Sequence, residues 1–333
     1  MTMTSRELIK AVLEFQNPPR IGLDLRAPFP TDLHWVGRKP NRVEEVELAP
    51  VGGEFRRWKD NWGNIWAKVS SLDMDKGEVV EGAITDWSQL DTYTPPSLGL
   101  ADEYAHIPVE RAAHPDKFVI GGMPGFVFNC ARYIRKLENY LCDLVVEREN
   151  VDRLNALVAR ELLAMIDRYG EAGCDAVMFP EDWGTQDRVM ISPTMFREIF
   201  KPYFVMLCGR AHSHGMKVFM HSCGKITEII DDLIDAGVDL LQFDQPTLHG
   251  IETLGRRFGG RITFWTSVDI QRTLQTKDAA LIRAEAKLLV NSLGRFGGGY
   301  IAGRYPADEA IGLPRETQDI ACEAFLEYGT FRA

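Results

Sequence analysis

From residue 118 onward the chain repeats one pattern. A short apolar run bounded by glycine or proline is followed by a longer stretch whose apolar residues fall at helical spacing. The runs are Phe118–Gly122, Ala176–Pro180, Lys217–Met220, Leu240–Phe243, Arg261–Trp265 and Tyr300–Ala302, and an earlier one lies at Arg20–Leu25. The helical stretches between them include Val151–Tyr169, a segment opened by Ser192-Pro193 that runs to about His214, and others over 226–236, 251–258 and 278–293. Parallel strands need a crossover connection, so strands alternating with helices in units of roughly 30 residues predict a parallel sheet. Seven or eight such units in 333 residues fit an α/β protein of the closed (β/α)8 TIM-type barrel kind. An open doubly wound sheet is the alternative. No Gly-x-Gly-x-x-Gly opens a helix and no Walker A sequence is present, so a nucleotide-binding version has little support. One domain over 1–333 is expected, with residues 27–117 as irregular insertions after the first strand, holding short strands such as Asn64–Val69. Ahead of the barrel, Ser5 is expected to cap a helix that reaches Phe15 before Asn17-Pro18-Pro19 ends it.

The stretch richest in chemistry is Val218-Phe219-Met220-His221-Ser222-Cys223-Gly224. Side chains alternate along a strand, so His221 and Cys223 face the same way where the strand ends. That C-terminal end is where barrels build active sites. An imidazole and a thiolate converging there suit a borderline metal, zinc first. Two ligands are not yet a site, and both residue types also occur in ordinary cores. The other strand ends would bring Asp24, Arg26, Met123, Glu181, Asp182, Asp244, Gln245, Asp269, Arg304 and Tyr305 to the same face. This set of acids, arginines and a thiol could serve a metal or an anionic substrate. Dull roles compete: Asp182 could hold a turn, and Arg304 could pair with a carboxylate across the mouth. His212 and His214 lie two apart on a helix and read as surface residues.

Composition narrows the partners. A formal net charge of -10 with no basic run argues against nucleic acid and against anionic lipid. No apolar run is long enough to span a bilayer, and MTMTSRELIK lacks the apolar core of a signal peptide, so a cytoplasmic protein is expected. The six cysteines have no framework spacing and read as free thiols. The oligomeric state is left open, a homodimer included.

Six stretches together resemble the uroporphyrinogen decarboxylase superfamily. They are Asp60-Asn61-Trp62-Gly63-Asn64-Ile65-Trp66, Glu181-Asp182-Trp183-Gly184-Thr185-Gln186, Ile191-Ser192-Pro193-Thr194-Met195-Phe196-Arg197, Lys201-Pro202-Tyr203, His221-Ser222-Cys223-Gly224 and Gly297-Gly298-Gly299-Tyr300-Ile301. The similarity is closest to the branch of corrinoid-dependent methyltransferases and uncharacterised members. The resemblance implies a TIM-type barrel and, in that branch, zinc held by a His-x-Cys pair and a later Cys. It implies a thiol acceptor bound as thiolate, and a methyl group exchanged with a corrinoid (cobalamin) that is free or carried by a partner protein. This chain departs from that pattern. The loop after the last strand reads Arg304-Tyr305-Pro306-Ala307-Asp308-Glu309 without a cysteine, and Cys322 falls within a later helix as a small core residue. Glu181 or Asp308 is then expected as the third ligand. The decarboxylases' arginine-rich N-terminal motif is also missing near Arg20–Arg26, so uroporphyrinogen decarboxylation itself is not expected.

Three readings follow. In the first, a zinc-dependent methyltransferase works with a corrinoid, with His221 and Cys223 as ligands and Glu181 as ligand or base. Asp182 and Asp244 are further catalytic candidates, and Asp24, Arg26, Met123, Gln245, Asp269, Arg304 and Tyr305 would contact a small-molecule substrate. The second is a metal-free decarboxylase or lyase in which Arg26 or Arg304 holds a substrate carboxylate. The third is a barrel that binds a ligand without chemistry, supported only by the missing cysteine.

Overall fold

A computed structural model describes residues 3–40, 45–51, 55–69 and 77–331. Twelve strands are present among them: β1 Gly22–Asp24, β2 Leu33–Val36, β3 Val46–Val51, β4 Phe55–Lys59, β5 Ile65–Val69, β6 Glu78–Glu81, β7 Phe118–Gly122, β8 Ala176–Pro180, β9 Lys217–His221, β10 Leu240–Phe243, β11 Thr263–Thr266 and β12 Tyr300–Gly303. Eight of them form one parallel sheet in the order β1-β12-β11-β10-β9-β8-β7-β2. The chain is therefore a nearly closed (β/α)8 barrel, as the strand–helix rhythm predicted.

The seam between β1 and β2 carries no crossover helix. A short loop returns the chain instead, with Asp24 bridged antiparallel to Thr31. Asp32 closes the seam: its backbone N–H donates to the Leu23 carbonyl at 2.7 Å, and its carboxylate accepts from the Leu23 N–H at 2.9 Å. The same carboxylate takes two bonds from Arg20, each 2.7 Å. The expected insertion thus follows the second strand, not the first. β2 escaped the sequence reading because its Leu-His-Trp-Val is short and lies within a Trp- and Pro-rich stretch.

One layer of core lies inside the barrel. Ile9, Val12 and Leu13 enter it from the helix Ser5–Leu13 and meet Phe118, Phe219, Leu240 and Ile301. This helix plugs the bottom of the barrel. Its cap is Thr4 rather than Ser5, in a reciprocal box with Glu7, and it ends at Leu13. A larger core packs the outward residues of the strands, such as Val218, Met220, Leu241 and Phe264, against the surrounding helices. The segment opened by Ser192 is not one regular helix, since Phe196–Phe200 is a π-turn before the helix Lys201–Ser213.

The expected irregular insertion also holds a regular unit. β3–β6 form an antiparallel meander. Trp58, Trp66 and Val79 make its small core, covered by Tyr133 of the helix Val127–Arg135. Asp60 clasps its central hairpin, accepting from the Asn64 N–H at 2.8 Å and from the Trp66 indole at 2.6 Å. The Asp60–Trp66 motif is thus the turn of this sheet.

Candidate metal and substrate site at the barrel mouth

Alternation along β9 places the first candidate ligand. Val218 and Met220 point into the outer core and Phe219 into the barrel, so His221 shares the inward parity of Phe219 and rises into the mouth. Gln242 stands in the same relation to Leu240 on β10. A cavity of about 320 Å³ opens at this end. Its polar lining includes Asp24, Arg26, His221, Gln242, Asp244 and Ser267, and its aromatic lining is Trp35, Trp265 and Tyr305.

Two loops build the ligand cluster. The segment after β8 runs beside the segment after β9 and is bonded to it along its length. Glu181 N–H donates to the His221 carbonyl at 2.8 Å, Trp183 N–H to Ser222 Oγ at 3.2 Å, and Lys225 N–H to the Thr185 carbonyl at 2.7 Å. Between these, Asp182 Oδ1 accepts from the Cys223 N–H at 2.9 Å. His221 Nε2 then lies 3.3 Å from Cys223 Sγ and 3.7 Å from Asp182 Oδ1. Among the described residues, Asp182, His221 and Cys223 are the one group of three His, Cys, Asp or Glu whose ligand atoms all fall within 4.8 Å of one another.

The imidazole is oriented from behind. Gln242 Nε2 donates to Asp244 Oδ1 at 2.9 Å, which turns the amide oxygen toward His221 Nδ1. Nδ1–H donates to that oxygen, leaving Nε2 to face the sulfur and the carboxylate. Burial alone would lower the His221 pKa. The bond to Cys223 and the negative field of Asp244, Cys223 and Asp182 outweigh it and push the value up to about 10. A field that favours a proton on Nε2 equally favours a metal ion there. The nitrogen, sulfur and oxygen donors suit zinc, and three protein ligands leave room for an exogenous fourth, as in catalytic zinc sites.

The remaining expected residues divide. Asp24, Arg26, Asp244 and Tyr305 do line the cavity. Burial raises the pKa of Asp24 despite the bond from Thr31 and the charge of Arg26, and burial raises that of Tyr305. Arg304 lines the cavity, but its Nη2 bonds Asp308 at 2.7 Å and its Nη1 lies 3.2 Å from Asp319. Asp308 is therefore the partner of Arg304, not a ligand beside Cys223.

Glu181 corrects the ligand expectation. Its carboxylate is fully buried and accepts from the N–H groups of Phe126, Phe128 and Asn129, at 2.9, 2.9 and 3.1 Å. Those groups open the helix Val127–Arg135, so Glu181 anchors a helix N-terminus. Burial outweighs these bonds and pushes its pKa up to about 8. The carboxylate that stands beside His221 and Cys223 is that of the neighbouring Asp182. Met123 is packed in the outer core. Asp269 is buried and holds a turn through the N–H groups of Gln271 and Arg272, both at 2.9 Å, and through Thr247. Gln245 accepts from the Gly224 N–H at 3.4 Å. These three shape loops and packing rather than line the cavity. His212 and His214 pair at the surface with Asp239 and Asp167, as expected, and Cys322 is buried.

The sequence reading missed Gln242, Trp35, Trp265, Met178 and Ser267. For Gln242 the signal was available: it sits two residues after inward-facing Leu240.

A parallel eight-stranded barrel with such a cluster at its C-terminal mouth defines a TIM-type barrel whose site lies where this fold carries active sites. The chain belongs to the uroporphyrinogen decarboxylase (URO-D) family, whose model matches residues 70–304. Two relatives from Methanosarcina barkeri, one of them from strain Fusaro / DSM 804, are methylcobamide:CoM methyltransferases MtaA. Each is 23% identical over 181 residues, 54% of this chain. The match spans 51% of each relative, so about half of their length. A solved methyltransferase from Methanosarcina mazei covers 76% of this chain and 73% of its own at 18% identity and a TM-score of 0.60, a likeness of fold.

Proposed function

We propose that this protein is a methyltransferase of the URO-D family in which His221, Cys223 and Asp182 hold a zinc ion, and that it works with a corrinoid as methyl carrier. The observation that carries the reading is the convergence of Nε2, Sγ and Oδ1 within 4.8 Å beside the barrel-mouth cavity. The names of the Methanosarcina barkeri relatives support the reaction class. Bound zinc would supply the Lewis acidity that keeps an acceptor thiol deprotonated at neutral pH.

The chain's own residues do the rest. Gln242 holds His221 in the tautomer that presents Nε2. The Cys223 N–H fixes Asp182 by its carboxylate. The cavity confines the small-molecule reactant next to His221. In the transfer, the acceptor supplies the electron pair for the new bond to the methyl carbon, and the old bond's pair stays on the donor.

The metal-free decarboxylase reading loses Arg304, whose Nη atoms are engaged by Asp308 and Asp319, and keeps Arg26 on the lining as its one candidate for a substrate carboxylate. The third reading rested on a missing ligand, and Asp182 offers one. The test is zinc content by elemental analysis, with thiol methylation assayed from methylcobalamin. Wild type should carry about one equivalent of zinc, and Cys223→Ser and His221→Ala should lose both metal and activity. Zinc content indifferent to both substitutions sinks the proposal.

A further inference from the structure

We infer that Gln318, a buried side chain of the helix Arg315–Tyr328 that stands outside the cavity lining, is a positioning residue for the barrel-mouth site. It fixes the loop after β12 so that Arg304 and Tyr305 form one wall of the cavity. The inference rests on the methyltransferase reading for what that wall meets, and on hydrogen-bond geometry for the positioning itself.

The loop needs a partner from outside the sheet. β12 ends at Gly303, and the Arg304 N–H still reaches the Asp24 carbonyl at 3.1 Å. One residue further on, Gln318 takes the place of a neighbouring strand. Its Oε1 accepts from the Tyr305 N–H at 2.9 Å, and its Nε2 donates to the Tyr305 carbonyl at 3.1 Å. The same Nε2 donates to Asp308 Oδ1 at 2.5 Å. Asp308 in turn accepts from Arg304 Nη2 at 2.7 Å. One amide therefore governs both wall residues, Tyr305 through its backbone and Arg304 through its carboxylate partner.

The residue type fits this role and no simpler one. Gln318 is 2% exposed, on a helix face otherwise built from Ala321, Cys322 and Phe325. An apolar side chain would pack there without the cost of burying an amide, so the bonds are what the amide contributes. An uncharged primary amide offers a donor and an acceptor in one plane, as a peptide group does, which lets it pair with both sides of Tyr305. What it holds lies close to the chemistry. Burial and then the charges of Asp244 and Cys223 raise the Tyr305 pKa, which puts the phenol within reach of both groups.

The first arm of the test is hydrogen-exchange mass spectrometry on the whole protein without added metal. Gln318→Met keeps the length of the side chain and removes the bonds. Peptides over 304–308 should exchange at least about tenfold faster than in wild type, and those over β9 at the same rate. The second arm assays the zinc-loaded protein for methylation of 2-mercaptoethanol by methylcobalamin. A cavity of about 320 Å³ takes the thiol and not the corrinoid. Gln318→Met should therefore raise KM for the thiol at least about tenfold, with kcat and KM for methylcobalamin within about twofold of wild type. Thr317→Ala, at the buried position one residue earlier, controls for general loosening of the helix and should show neither effect. If Gln318→Met does not fold, Gln318→Glu, which keeps the acceptor and drops both donors, is read in the same way. Unchanged exchange at 304–308 overturns the inference. So does faster exchange with all kinetic constants unchanged or altered in equal proportion, which is what a purely structural clamp would give. Absence of thiol methylation in wild type overturns the methyltransferase reading alone, and the exchange arm then decides the positioning by itself.

Discussion

Gly184 and Gly224 meet backbone to backbone. A Cβ on Gly184 would come within 2.7 Å of the Cys223 carbonyl oxygen, and one on Gly224 within 2.7 Å of the Thr185 carbonyl oxygen. Gly224 also has φ +72°, which disfavours any side chain. This contact lets the loops after β8 and β9 lie close enough for Asp182 to reach the Cys223 N–H. Gly184→Ala has no backbone strain to add, so it tests proximity alone. It should part the loops, lower zinc affinity by at least about tenfold and cost about 1–3 kcal/mol of stability. Competition with a chromogenic chelator and thermal unfolding would measure the two effects. Unchanged zinc affinity would show that the loops need not touch for the cluster to form.

Gln242 gives a second check, because it touches His221 without being a metal ligand. Its side-chain oxygen takes the Nδ1–H bond, and Asp244 holds its other end. Gln242→Leu keeps the size and removes the acceptor. Zinc affinity is expected to fall about 10–100-fold. Gln242→Glu keeps an acceptor for that bond but turns a carboxylate instead of a donor toward Asp244, so it should retain more affinity than Gln242→Leu and less than wild type. A fall of equal size in both variants would mean that packing, not the bond to Nδ1, is what matters.

How much of this was legible beforehand follows from where each signal resides. The barrel was readable because its strands from β7 onward are continuous apolar runs, a property of each segment by itself. His221 was readable because the period of two gives it the inward face of Phe219, whereas Cys223 lies in the loop after β9 and its approach to His221 rests on the bond from its N–H to Asp182. The exchange of roles between Glu181 and Asp182 was not readable. The two are chemically alike and adjacent, and which one faces His221 and Cys223 depends on Phe126, Phe128 and Asn129, 52 to 55 positions away in sequence. β2 and Trp35 were hidden for a similar reason. Four residues pair with β7 by register, and nothing in their own composition marks them as a barrel strand.

Glu181 as an anchor makes an expectation opposite to Glu181 as a ligand. Glu181→Ala leaves three helix-opening N–H groups buried without acceptors. It should destabilise by about 3 kcal/mol or more by chemical denaturation, while the folded protein still binds zinc. Loss of zinc with stability intact would return the ligand role to Glu181. Its pH behaviour gives a second readout. An acid whose folded pKa is about 8, against an ordinary 4.5, binds protons more readily when folded. It therefore contributes stability at low pH that is lost as pH rises from about 4.5 through 8. That downward slope should be present in wild type and absent in Glu181→Ala.

His249 is expected to act in the opposite direction. It is buried, stacks on Phe243 with ring centroids 4.2 Å apart, and bonds Thr227 Oγ1 through Nδ1 at 3.0 Å. It thereby ties the loop after β10 to the loop that carries Cys223. Burial, reinforced by the charge of Lys225, lowers its pKa to about 4 from 6.5. The unfolded chain therefore binds the proton more readily than the folded one between these values, and stability falls as pH drops from about 6.5 to 4. His249→Gln cannot titrate and should flatten that part of the stability profile. The comparison needs denaturation midpoints for both proteins at several pH values across that window. If the profiles run parallel there, His249 is not the group that sets the slope, and the bond to Thr227 does not hold a neutral ring.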